Sequence, residues 1–213
     1  HGCPVHIEHC RFEQGRGEDA LNLKNARGEI RACTFRGNPS DAIDLDWSAI
    51  DVIGCRFEDN AGDALDVSGS RVRLLHSVIR NSGDKGVSVG ERSRMLVCDC
   101  HIESCSLGVA VKDLSHADIV STTLIGNDAA VACYQKKALF GGGSADLEYC
   151  LLRNNGLAQA CDPYSTCRLR HCQGQGRALD DDGRRLLSER LEGERLPERE
   201  LPVGYIGLAE VER

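Results

Sequence analysis

The most constraining feature of the chain is a repeat of about 22 residues. Ile7-x-x-Cys10-x-Phe12 recurs as Ile30-x-x-Cys33-x-Phe35 and as Val52-x-x-Cys55-x-Phe57. The same positions continue as Leu74, Ser77, Ile79, then Val97, Cys100, Ile102, then Ile119, Thr122, Leu124. They return as Leu147, Cys150, Leu152 and fade at Leu169 and Cys172. Successive steps are 23, 22, 22, 23, 22, 28 and 22 residues. A second segment is stricter: Leu21, Ile43, Leu65, Val87, Val109 and Val131 lie 22 apart, and so do Leu23, Leu45, Val67, Val89, Val111 and Cys133.

Within each segment the apolar residues alternate with period two, the mark of a strand with one buried face. A third pair precedes each cysteine unit: Ile50 with Val52, Val72 with Leu74, Met95 with Val97, Ala117 with Ile119. Gly, Asn, Asp and Ser punctuate the segments, as in Asn81-Ser82-Gly83-Asp84 and Gly126-Asn127-Asp128. Three short strands per 22 residues cannot bury a core alone. Stacked coils can, because like strands then pair at roughly 4.8 Å. The Ile-x-x-Cys-x-Phe and Asp-Ala-φ-x-φ units resemble the repeat of the pectate-lyase-like superfamily of right-handed parallel β-helices. The resemblance spans residues 3 to about 175. It implies an all-β, single-chain solenoid of about seven to eight coils. It implies little about chemistry, since that superfamily holds lyases, hydrolases, epimerases and binding proteins.

The expected domains are a β-helix over 1–175 and a degenerate coil or charged cap over 176–213, where Arg, Glu and Asp dominate. Residues 134–146 break the rhythm with an enlarged loop carrying Gly141-Gly142-Gly143. His1 rather than Met stands first and no signal peptide is visible, so the chain reads as a piece of a longer polypeptide. No apolar run approaches the roughly 18 residues of a membrane span. The net charge of −7 over 213 residues argues against a nucleic-acid partner.

Twelve cysteines pose the choice between disulfides, metal ligands and core. Placed on the repeat, Cys10, Cys33, Cys55, Cys100, Cys150 and Cys172 share one column with Ser77 and Thr122. Cys133, Cys161 and Cys167 fall in other inward columns, so nine are expected inside as reduced thiols. A zinc site at Cys98-x-Cys100-His101 with Cys105 is disfavoured because Cys98 and Cys100 face opposite ways. Cys105 replaces Asn in a polar turn column with Asn38, Asn60, Ser82, Asn127 and Asn155.

The outward residues of the strict segment gather a patch: Asp41, Asp44, Asp46, Asp63, Asp66 and Lys85. Asp44 and Asp66 lie one coil apart, so their carboxylates are expected roughly 5 Å apart. Like charges opposite each other in a sheet destabilise it unless a cation, a shared proton or a basic neighbour intervenes. Calcium suits such a site, with Asp41, Asp44, Asp63 and Asp66 as candidate ligands. Trp47 is a candidate sugar-stacking platform; Lys112, Tyr134, Lys136 and Lys137 are candidate ligand contacts on the same face and its loop.

Three readings follow. In a calcium-assisted uronate lyase, the metal neutralises the substrate carboxylate and Lys85 or Lys112 acts as base. In a glycoside hydrolase, Asp44 and Asp66 form the carboxyl pair, but the Asn-Thr-Asp, Gly-His-Gly and Arg-Ile-Lys motifs of the family's polygalacturonases are absent. In a non-catalytic module, the face binds polysaccharide or calcium, or serves a structural role within a larger surface protein. Against these stands a simpler reading, in which the Asp19, Asp41, Asp63 column only caps turns. The expected setting is extracytoplasmic or the cell surface, although so many thiols keep the cytoplasm open.

Overall fold

Period-two alternation places one apolar row inward on each strand, and the structure, a computed structural model describing residues 2–174, closes those rows around a single core. Three parallel sheets result. The first has eight strands, from Cys3–Glu8 to Thr166–Arg170; the second has eight short ones, from Arg11–Glu13 to Gln173–Gly174; the third has seven, from Leu21–Lys24 to Leu157–Cys161. Each strand pairs with its counterparts one coil before and one coil after. This is the parallel β-helix expected from the repeat. The register matches the columns: Ile43 faces Leu65, Leu45 faces Val67, and Val87 faces Val109. Phe12, Phe35 and Phe57 stack in the core with centroids 4.7 and 5.0 Å apart. Among the described residues no helix is long and apolar enough to cross a membrane. The expected cap over 176–213 lies outside the described residues.

Most corners are made by single residues in the left-handed region, while Glu91-Arg92 and Asp113-Leu114 use two. After the first sheet these are His9, Ala32, Gly54, His76, Asp99, Ser121, Tyr149 and His171, with φ between 49° and 62°. Such a backbone costs a non-glycine residue about 1–2 kcal/mol. It persists because the corner keeps its ladder bonds: the amide of Ala32 donates to the Ile53 carbonyl at 2.9 Å, and that of His76 to Cys98 at 3.1 Å.

Next to the corners run buried polar ladders that connect the coils. Ser48, Ser70 and Ser93 each accept a backbone N–H from the coil below, from Ala26, Ser48 and Ser70 at 2.9, 2.7 and 3.0 Å. Asn60 accepts from Asn38 N at 3.2 Å, and Asn127 from Cys105 N at 2.9 Å. The cysteine column works the same way: Cys33 Sγ accepts from Cys10 N at 3.4 Å, Ser77 from Cys55 N at 3.1 Å, and Thr122 from Cys100 N at 3.4 Å. Small size is therefore half of the reason for cysteine there; the other half is an acceptor atom for the amide below, which is why Ser and Thr substitute for it.

All twelve cysteines are free thiols. Cys33, Cys55, Cys100, Cys105, Cys133 and Cys150 are buried; Cys98, Cys167 and Cys172 are half-buried; Cys3, Cys10 and Cys161 are exposed. Two expectations change. Cys10 and Cys161 occupy inward columns but sit in the end coils, where a neighbour is missing on one side. Burial pushes the thiols of Cys55, Cys100, Cys105 and Cys150 up to about 11, which suppresses the reactive thiolate.

The enlarged loop is held by hydrogen bonds at its start and by close packing at its glycines. Its start is pinned by Asp113 Oδ1, which accepts the amides of Lys136 and Lys137 at 2.9 and 2.7 Å. A Cβ at Gly142 or Gly143 would collide with the Tyr164 or Val111 carbonyl, so these glycines permit close packing.

Two outcomes check this fold. A bulky thiol reagent should label Cys3, Cys10 and Cys161 quickly in the native protein and the six buried thiols only after denaturation. Ser93→Ala strands the buried Ser70 amide and should cost about 1–3 kcal/mol in a denaturant melt. Ser82→Ala should cost clearly less, because Ser82 Oγ is buried without a hydrogen-bond partner.

Candidate functional site

The acidic patch stands on the outward face of the third sheet, on strands Ile43–Asp46 and Leu65–Ser68 and on the turns that lead into them. Asp44 and Asp66 are direct register partners. In the turn column, Asp41 Oδ1 accepts the Asp63 amide at 2.7 Å, and Asp63 Oδ1 accepts the Lys85 amide at 2.9 Å. The column thus caps, but between coils. Gly62 makes room for it: a Cβ there would collide with Asp41 Oδ1.

Carboxylate oxygens of Asp41, Asp63 and Asp66 all lie within 4.8 Å of one another. Asp44, the fourth expected ligand, is held apart from that trio: Asn22 Nδ2 donates to it at 2.6 Å. Asp46 pairs with Lys24 at 3.1 Å. Lys85 is buried, ion-paired to Asp84 and 3.8 Å from Asp63 Oδ1. Lys112 is also buried, its stem passing over Gly90, where a Cβ would stand 3.1 Å from Lys112 Cε. It is near enough to Asp63 to favour that carboxylate.

Electrostatics follow from burial first. Half-burial pushes the Asp44 carboxyl up to about 7, helped by the charges of Asp46, Asp66 and Asp19 and opposed by Lys24. Burial raises Asp41 as well, with Asp66 and Asp19 adding and the Asp63 amide opposing. Asp63 is raised by burial against the pull of Lys85.

Trp47 is a corner residue with φ 47° and is 44% exposed. Its ring lies over Gly69, with Cδ1 2.7 Å from where a Cβ would stand, so one face covers the next corner and part remains open beside Asp46. Tyr134 is placed elsewhere. Beyond the acidic coils the outward face turns apolar, and Leu107, Ala110, Ala129, Ala132, Tyr134, Leu157 and Ala160 form a second buried cluster. Between the two halves lies Ser88, in register with Asp66, its Oγ buried and without a hydrogen-bond partner. Lys136 is half-buried at the pinned loop. Sequence reasoning missed Asp84 and Gly62. The column Ser40, Gly62, Asp84, in step with the repeat, carried the signal for both.

A raised folded-state value means that the folded chain holds the Asp44 proton more tightly than the unfolded chain. The stabilising contribution is full below the ordinary value of 3.8 and is lost as pH rises through about 7. Asp44→Asn, which keeps an oxygen for Asn22, should therefore raise the melting temperature at pH 8 by about 2–4 °C. It should change little at pH 4. An equal effect at both pH values would contradict the raised carboxyl.

Over residues 19–173, well over half of its 213 residues, the chain matches the family described as "Right handed beta helix region". No curated protein matches it. The family's description agrees with three parallel sheets paired coil on coil: the chain belongs to the right-handed β-helix family.

Proposed function

We propose that this β-helix is a non-catalytic carbohydrate-binding module, in which calcium held by Asp41, Asp63 and Asp66 bridges to the carboxylates of a uronate polysaccharide. The carrying observation is the convergence of three carboxylates within 4.8 Å on a sheet face. Calcium takes six to eight oxygen ligands at 2.3–2.6 Å, so three carboxylates leave positions for sugar oxygens and water. Ser88 Oγ, unpartnered and in register with Asp66, adds an oxygen of the right kind. The open part of Trp47 supplies a surface on which a sugar ring can stack.

Binding is favoured over lysis by the state of the lysines. A general base must come within about 3 Å of the proton it removes. Lys85 and Lys112 are 3% and 7% exposed and are spent on carboxylates of the chain itself. Such a role suits a protein displayed at or beyond the cell surface, where its buried thiols are shielded from oxidation.

Isothermal titration and retention on immobilised polygalacturonate test the reading. Calcium should bind with a Kd of about 10⁻⁴–10⁻³ M and raise the melting temperature. Asp66→Asn should abolish both effects, and a chelator should release the chain from the polysaccharide. Trp47→Ala should weaken retention with calcium binding intact. Retention that ignores the chelator, or a melting temperature unmoved by calcium, contradicts the proposal. Unsaturated product or new reducing ends would replace it with a catalytic role.

A further inference from the structure

Cys133, Cys161 and Cys167 meet at one corner near the C-terminal end of the described coils, apart from the cysteine ladder. Cys133 and Cys161 are register partners on strands Ala129–Tyr134 and Leu157–Cys161. Cys167 stands on strand Thr166–Arg170, across the turn that Cys161 enters. Asp162 ties that turn: its Oδ2 accepts the Gln135 amide at 2.8 Å and its Oδ1 the Tyr164 amide at 3.0 Å. The chain folds back there, and the side chains of Cys133, Cys161 and Cys167 interact with one another. Cys133 is buried, Cys167 half-buried and Cys161 exposed.

Packing alone does not call for thiols at this corner. The same two columns hold aliphatic residues in the preceding coils, Val89 and Val111 before Cys133, and Ala117 and Ala145 before Cys167. In the cysteine ladder each sulfur faces a carbonyl, as Cys10 faces Glu8 at 3.4 Å, Cys55 faces Ile53 at 3.5 Å and Cys100 faces Cys98 at 3.2 Å. At this corner the sulfurs are turned toward each other.

A thiolate on Cys161 has two donors beside it. The Cys133 and Cys167 thiols hold the Cys161 thiol well below its ordinary value, against burial and the charge of Asp162. Cys133 is pushed up by the same contacts to Cys161 and Cys167 and by its burial, so it keeps its proton. The exposed member of the trio is the nucleophile, and protonated thiols stand next to it. An accessible thiolate beside a second thiol is the arrangement in which oxidation by a peroxide ends in a disulfide.

We propose that Cys161, Cys133 and Cys167 form a peroxide-reactive site, in which Cys161 is oxidised first and then closes a disulfide with one of its two thiol neighbours. The Cys161 thiolate attacks the O–O bond and becomes a sulfenic acid. The leaving hydroxide takes up the proton that the thiol had given up. The neighbouring thiol then attacks the oxidised sulfur, an S–S bond forms and water leaves. Two thiols are oxidised by two electrons, and one hydrogen peroxide is reduced to two waters. Reach is no obstacle: Cys133 and Cys161 are paired on strands about 4.8 Å apart, inside the Cα span of a disulfide.

The test adds substoichiometric hydrogen peroxide to the reduced full chain. In one portion dimedone traps sulfenic acid; in another, free thiols are alkylated and unreduced peptides are mapped by mass spectrometry. Cys161 should oxidise about 10-fold or more faster than Cys3, an exposed thiol outside the trio. It should end linked to Cys133 or Cys167, and Cys161→Ser should abolish that link. Cys133→Val with Cys167→Ala uses residues that the two columns already carry, so the β-sheet spectrum should be kept. In that double variant Cys161 should oxidise about 10-fold more slowly and its sulfenic acid should persist for dimedone. The proposal fails if Cys161 oxidises no faster than Cys3, or if its sulfenic acid persists unlinked in the unaltered chain. It fails equally if a link from Cys10 to Cys33 forms as readily, or if the folded double variant oxidises Cys161 at the unaltered rate. The trio shares no residue with the calcium cluster, so the two proposals stand or fall separately.

Discussion

Strand pairing at a one-coil offset is the constraint on which the rest of this structure depends. Parallel strands sit about 4.8 Å apart, and a nearly constant coil length brings each residue beside its repeat counterpart. Whatever a column contains is therefore multiplied. Apolar columns become the core. Phe12, Phe35 and Phe57 become a ring stack. Serine, asparagine and cysteine columns become ladders in which a side chain of one coil accepts an amide of the next. These ladders satisfy buried amides at the corners, where strand pairing is interrupted.

Multiplication also explains where chemistry collects. An outward aspartate repeated one coil later is a like-charge pair, and the fold has no freedom to separate it. The chain answers in several ways. Asp63 receives Lys85, Asp46 receives Lys24, and Asp44 receives an Asn22 amide with its carboxyl raised to about 7. Asp51 of the first sheet is stacked beneath Arg73 and ion-paired to it. Asp41 and Asp66 converge with Asp63 where the acidic columns of adjacent coils meet.

The core columns were readable from period and alternation alone, because a buried row must be apolar in every coil. The corners were hidden. His76, Tyr149 and Trp47 adopt left-handed φ with no glycine to announce it, since stacking and ladder bonds hold them there. Tyr134 read as an outward ligand contact and is buried, because what covers an outward face is tertiary and leaves no mark on a single repeat. Lys85 read as a base and is paired, a fact that its neighbour Asp84 could have signalled. The pairing of Asp118 with Asp146 was obscured by the 28-residue step, which shifts Asp146 out of the 22-residue column that Asp118 would otherwise share with it.

If register is the governing constraint, whole coils are removable and fractions of coils are not. Deleting residues 49–70, one complete coil of 22, joins Ser48 to Arg71 and leaves every column continuous. Deleting 49–69 removes one residue fewer and reverses the faces of the following strand relative to its new neighbour. Thermal melts followed by circular dichroism compare the two. The whole-coil deletion should keep a β-sheet spectrum and a cooperative transition, and the shorter deletion should lose both. Equal disruption by the two deletions, or equal tolerance of them, would contradict the account.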